Sequence, residues 1–149
     1  MKIKDILKVK GSQVWTISAT QTVREALELL VRRNIGALVV TDEGRGHILG
    51  IISERDLVRA CHDNIEAIAS KQVFELMTRK IIVASLDDEV ETLMSTMTDK
   101  RVRHIPVMSE GRLAGIVSIG DVVKSMLKDS AHQIQYLKEF MYGPTVPAV

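Results

Sequence analysis

Gly50-Ile51-Ile52-Ser53-Glu54-Arg55-Asp56 recurs as Gly115-Ile116-Val117-Ser118-Ile119-Gly120-Asp121. In both copies an apolar run of strand length ends at a serine that suits a helix N-cap, with an acidic residue three positions later. The predicted helices continue through Leu57-Val58 and Val122-Val123. Upstream the copies also match: strands at 37–41 and 48–52 flank a polar turn at 42–47, and strands at 105–108 and 113–117 flank one at 109–112. Before these, Val23, Ala26, Leu27 and Leu30 keep the i, i+3, i+4, i+7 spacing of an amphipathic helix, and Val90, Leu93, Met94 and Met97 repeat it. Thr22 with Glu25 reads as a capping box, and Asp87 or Asp88 suits the start of the second helix. Short β-rich segments at 14–18 and 81–85 lead into them. The unit is strand, helix, strand, strand, helix, and the chain is its tandem duplication.

Residues 64–78 read as a partly helical linker, and 130–142 as a terminal amphipathic helix stopped by Gly143, Pro144 and Pro147. The expected division is a first repeat with its N-terminal segment at 1–66, a linker and second repeat at 67–128, and a C-terminal helix and tail at 129–149. The fold class is α/β in the broad sense (α+β), with two repeats packed around a pseudo-twofold axis.

Composition narrows the function. In 149 residues, 46% are hydrophobic and 26% charged, which suffices to bury a core. The formal net charge is +1 and basic and acidic residues balance in each half, so no field steers the chain to a polyanion. Cys61 is the only cysteine, which excludes an internal disulfide framework, and no Cys/His cluster has zinc-ligand spacing. Residues 1–12 intersperse Lys2, Lys4, Lys8 and Lys10 with short apolar pieces, unlike a signal peptide. No run is apolar for the length of a membrane span. The expectation is a cytoplasmic protein with no metal and no membrane contact.

The duplicated unit resembles a pair of CBS domains, the repeats that associate as a Bateman module, over nearly the whole chain. The second copy carries the closer likeness, with Arg101-Val102-Arg103-His104-Ile105-Pro106-Val107 followed by Gly111 and the Gly115 to Asp121 element. The first departs from it at Val39, where the second has Pro106, and at Gly36-Ala37 in place of Arg103-His104. With no attached catalytic domain expected, the whole looks like stand-alone CBS-pair proteins.

A Ser-x-x-Asp element at a strand-to-helix junction is explained by capping alone. The resemblance implies more: Asp56 and Asp121 accept hydrogen bonds from the ribose hydroxyls of an adenosine, and Ser53 and Ser118 touch sugar or phosphate. A carboxylate suits a cis-diol because it only accepts. Gly50 and Gly115 would let a further group approach the backbone. For phosphate, the densest basic stretch is residues 100–104. Lys100 and Arg101 fit an ordinary helix end, whereas Arg103 and His104 resemble positions that hold phosphate. The Asp121 site is therefore expected to bind phosphate well, and the Asp56 site to be weaker or to rely on Arg55. An apolar adenine slot is expected from Ile35, Ala37, Val102 and Ile82, with Trp15 able to stack or simply to pack.

The leading expectation is a non-enzymatic regulatory module that binds AMP, ADP, ATP or NAD(H), with no catalytic cofactor. It would act as a homodimer and on a regulated enzyme; Met94, Met97, Met126 and Met141 could make the helix contacts of the dimer or equally fill the core. Two other readings are a nucleotide hydrolase using Ser118, His104 and Asp121, and a nucleic-acid or protein scaffold using the 100–104 surface. Aromatic residues at 3% disfavour base stacking.

Overall fold

A computed structural model describes residues 1–43 and 47–143. Part of the predicted turn at 42–47, and the stop signals Pro144 and Pro147, lie outside them. The order is α1 (Ile3–Lys10), β1 (Thr16–Ser18), α2 (Val23–Arg33), β2 (Ala37–Thr41), β3 (Ile48–Ser53) and α3 (Glu54–Asn64). A 3-10 turn (Ile68–Ser70) leads to α4 (Val73–Leu76), β4 (Ala84–Ser85), α5 (Val90–Lys100), β5 (His104–Ser109), β6 (Arg112–Ser118) and α6 (Ile119–Tyr142). Each repeat forms a three-stranded sheet in which the first strand pairs in parallel with the second and the second antiparallel with the third. The mixed α and β elements and the duplicated unit are those predicted.

The helices start where capping chemistry lets them. Ser53 Oγ and Ser118 Oγ accept the backbone N–H of Asp56 and Asp121 at 3.4 and 3.2 Å, and each aspartate accepts its serine's N–H at 2.8 Å. Thr22 and Glu25 form the same box on α2. Asn34 and Arg101, with φ of 52° and 54°, end α2 and α5 in the left-handed region.

Two elements differ from the sequence prediction. The expected separate helix at 130–142 is continuous with the one after Ser118, because residues 121–142 contain neither proline nor glycine to interrupt α6. The helix α1 is not among the predicted elements, since four lysines in the first ten residues obscure the Ile3, Ile6, Leu7 spacing that buries one face of it.

That helix packs across the duplication. Ile3, Ile6 and Leu7 join the core built by Val90, Leu93, Met97, Ile105, Val107, Val117 and Val122 of the second repeat. Conversely, Ile68 and Val73 join Val23, Leu30, Leu38, Val40, Ile52 and Leu57 of the first. Backbone bonds fix the exchange: Ile3 N–H to Asp88 O at 3.0 Å and Val90 N–H to Met1 O at 3.0 Å, matched by Val23 N–H to Lys71 O and Val73 N–H to Gln21 O, both 2.8 Å. The segment leading into each repeat thus completes the core of the other.

The two glycines of the repeated element serve this crossing rather than a ligand. A Cβ on Gly50 would lie 2.5 Å from the Thr78 carbonyl oxygen, and one on Gly115 would meet the Leu7 methyls at 2.8 and 2.9 Å. Thr78 is pinned to Ile51 by reciprocal backbone bonds of 3.0 and 2.8 Å, whereas Leu7 can change rotamer. Gly50→Ala is therefore expected to cost about 2–3 kcal/mol and Gly115→Ala about 1 kcal/mol in urea unfolding. The reverse order would contradict this packing.

Candidate functional site

Two cavities lie between the repeats, and each joins the strand-to-helix junction of one repeat to an apolar wall from the other. The first, about 460 Å³, is lined by Ser53, Arg55, Asp56 and Arg59 of β3 and α3, and by Ile81, Ile82 and Val102 from the second repeat. The second, about 340 Å³, brings Ser118 and Ile116 of β6 against Val14, Trp15, Ile35 and Ala37 from the first. Both volumes fall in the range of small-molecule sites. The crossing of the chain explains the exchange: a repeat's leading strand stands beside its neighbour's strand-to-helix junction.

The predicted site residues divide accordingly. Ser53, Arg55, Asp56, Val102, Ile82, Arg103 and His104 come together at the first cavity. Trp15, Ile35, Ala37 and Ser118 line the second, and His104 reaches both. Asp121 stands beside the second, bonded to Ser118 and to Lys10. One expectation is corrected here. Arg103 belongs to the same repeat as Asp121, and its carbonyl accepts the Ile119 N–H there at 2.9 Å, but it lines the Asp56 cavity. The sequence reading set Arg103 beside Asp121, and the structure sets it in the cavity of Asp56. Trp15 has one ring face covered by the Arg33 guanidinium, 3.9 Å from the ring centroid, and packs on the first core.

The first cavity is strongly cationic. Arg55, Arg59, Lys80, Lys100, Arg101 and Arg103 line it, against the carboxylates of Glu54 and Asp56. Six cations against two anions in a confined cleft favour an anionic occupant. Arg55 also reaches the Arg101 carbonyl across the repeats at 3.4 Å. Asp56 keeps its capping role on Oδ2, which takes the Ser53 N–H and Oγ–H at 2.8 and 3.0 Å, while Oδ1 faces the Thr78 hydroxyl at 3.0 Å. The cap and a ligand contact are therefore compatible, one on each carboxylate oxygen. The apolar side chains Ile51, Ile81, Ile82 and Val102 complete the slot.

His104 sits between the cavities. Burial, reinforced by the charge of Lys10 and less strongly by that of Arg103, holds its imidazole below the ordinary histidine value, against the pull of Glu54 and Asp121. It is therefore neutral at neutral pH and can present one N–H donor. Its ring approaches Gly36 so closely that a Cβ there would lie 3.1 Å from it. The glycine in the first repeat thus makes room for the histidine of the second.

Sequence reasoning missed Lys10, Arg59, Thr78 and Lys80. Arg59 had a signal, standing one turn beyond Arg55 on α3. The other three precede the first strands of the repeats, where no periodicity marks them. Among the described residues no cluster of His, Cys, Asp and Glu could hold a metal ion, and no helix is long and apolar enough to cross a membrane.

Comparison with known proteins agrees with this architecture. The CBS domain model matches residues 3–63 and 73–128. The CBS domain-containing protein CBSX3, mitochondrial, of Arabidopsis thaliana is 36% identical over 148 residues, covering 95% of this chain and 72% of that protein. The crystal structure of the CBS-domain containing protein ATU1752 from Agrobacterium tumefaciens superposes with a TM-score of 0.82 at 42% identity, covering 85% of this chain and 99% of that one. The CBS domain pair of protein MJ0100, solved in complex with 5′-methylthioadenosine and S-adenosyl-L-methionine, gives a TM-score of 0.76 at 28% identity, with 87% and 98% covered. With two matched copies on crossed cores, the chain belongs to the CBS domain family as a tandem pair.

Proposed function

We propose that this chain is a non-enzymatic regulatory module that binds an anionic adenosine-containing ligand, AMP, ADP, ATP or NAD(H), in the cavity of Asp56. The observation that carries this reading is the lining of one cleft, which combines an acceptor-only carboxylate, apolar side chains and six cations. Ribose hydroxyls donate to Asp56 Oδ1 in place of Thr78, and Ser53 stands beside the sugar. Adenine lies among Ile82, Val102 and Ile81, and phosphate oxygens reach Arg103, Arg101 and Lys100, with Arg55 and His104 within the same wall. Arginine forks match phosphate geometry and stay charged. The two adenosine compounds bound in the MJ0100 complex support the adenosine part of this reading.

Asp56 and Arg103 belong to different repeats, so a ligand held by both fixes their relative placement. A signal follows only if the ligand prefers one arrangement. A homodimer, a regulated enzyme and a cytoplasmic setting belong to the same reading. The helix α6 exposes Leu127, Ile134, Leu137 and Met141, a stripe that a second copy of the helix would cover. The hydrolase alternative is disfavoured by Ser118, whose hydroxyl is engaged with Asp121 at 2.9 Å in a helix cap.

A thermal-shift panel tests the ligand class. At one hundred times the dissociation constant, binding to the native state adds about 2.7 kcal/mol, a shift of about 5–10 °C for a chain of this size. ATP, ADP, AMP or NAD is expected to produce it, and inorganic phosphate is not. Flat curves for all four nucleotides would sink the proposal.

A further inference from the structure

The two cavities differ in what holds their aspartates. Lys10 Nζ, at the end of α1, donates to Asp121 Oδ2 at 2.6 Å and to the Ile116 carbonyl at 2.7 Å. Both side chains are largely covered, 32% and 23% exposed. In the first cavity the corresponding carbonyl, Ile51 O, is taken by the Thr78 backbone N–H at 2.8 Å. The carboxylate of Asp56 meets only the rotatable Thr78 hydroxyl beyond its own cap. Among the described residues Asp121 is ion-paired with Lys10, whereas Asp56 has no such pair.

The placement of Lys10 is built into the core. Ile3, Ile6 and Leu7 anchor α1 in the second repeat, and the Leu7 methyls fill the space that a side chain at Gly115 would need. This sets the end of α1 against Ile116 on β6. Burial alone would push the Asp121 carboxyl up, but the Lys10 and Ser118 bonds outweigh it and hold the group below its usual value.

We propose that Lys10 is an intramolecular latch that closes the second cavity to adenosine, so that the native chain takes one nucleotide, at Asp56. This rests on the adenosine-binding reading of the repeated aspartates. Lys10 takes Oδ2, the oxygen that also holds the Ser118 cap, so a diol reaching Oδ1 meets a carboxylate already paired with an ammonium, a weaker acceptor than one without an ion pair. The ligand class of the opened cavity also differs. Lys10 is the one Lys or Arg among its lining residues, so with Lys10 replaced the cavity fits an uncharged adenosine rather than a nucleotide.

Calorimetric titration of the full chain with ATP and with adenosine, on wild type, Lys10→Ala and Lys10→Arg, tests the latch. The wild type and Lys10→Arg are expected to bind one equivalent. Lys10→Ala is expected to gain a second adenosine site at least about tenfold tighter than any second binding to the wild type. If Lys10→Ala loosens the fold, seen as a lowered Tm, Lys10→Met removes the charge while keeping the apolar stem and is held to the same expectation. Two equivalents in the wild type, or one in folded Lys10→Ala and Lys10→Met, would overturn the latch and leave the Asp56 proposal standing. No binding by any form would overturn both.

Discussion

Asp56→Asn is expected to weaken AMP or ATP binding by roughly 100-fold, and Asp121→Asn by less than about threefold. The first figure follows from two hydrogen bonds donated by ribose to an ionised acceptor. Hydrogen bonds to charged groups contribute about 1.5–3 kcal/mol each, and the amide removes both the charge and one acceptor. The amide nitrogen would also turn an N–H toward donors. The effect of this substitution on the fold is smaller, because an amide oxygen can still accept the Ser53 N–H that Asp56 holds at 2.8 Å. Asp121 is the mirror case, already engaged by Lys10. Its replacement frees a lysine without removing a ligand contact at the first cavity. Calorimetric titration at one fixed salt concentration checks both variants, with Tm as the control for folding. Equal losses would refute the asymmetry.

Removal of residues 1–9 is expected to abolish cooperative folding of the second repeat. Ile3, Ile6 and Leu7 are 0%, 4% and 7% exposed, all in the second core. Burying three such side chains contributes about 5–9 kcal/mol, comparable with the whole stability of an ordinary domain. The single substitution Ile3→Ala is expected to cost about 2–5 kcal/mol, since Ile3 is fully enclosed and the neighbours cannot all close over the gap. Urea unfolding followed by circular dichroism measures both. An unchanged midpoint for the truncated chain would show that α1 is dispensable to that core.

Much of the fold is written locally. The alternation of apolar strands with amphipathic helices, and the serine caps at Ser53 and Ser118, specify each repeat through contacts near in sequence. The crossing is not local. Nothing in the Ile3, Ile6, Leu7 pattern says which core it will enter, because both cores are built from the same residue types. The site inherits that limit. Ser53, Asp56 and Arg55 are legible as a group because one strand-to-helix junction carries them. The placement of Arg103 in the cavity of Asp56 depends on how the two repeats face each other. Lys10 is the extreme case: a lysine at a helix end is ordinarily solvated, and only the docking of α1 on β6 brings its ammonium to Asp121.

The most direct test of the account is a crystal structure of the full chain grown with AMP. The expected result is one nucleotide between the repeats, its ribose hydroxyls on Asp56 and its phosphate among Lys100, Arg101 and Arg103, with Lys10 still bonded to Asp121. A nucleotide seated on Asp121 instead, or a first cavity left empty at saturating AMP, would contradict it.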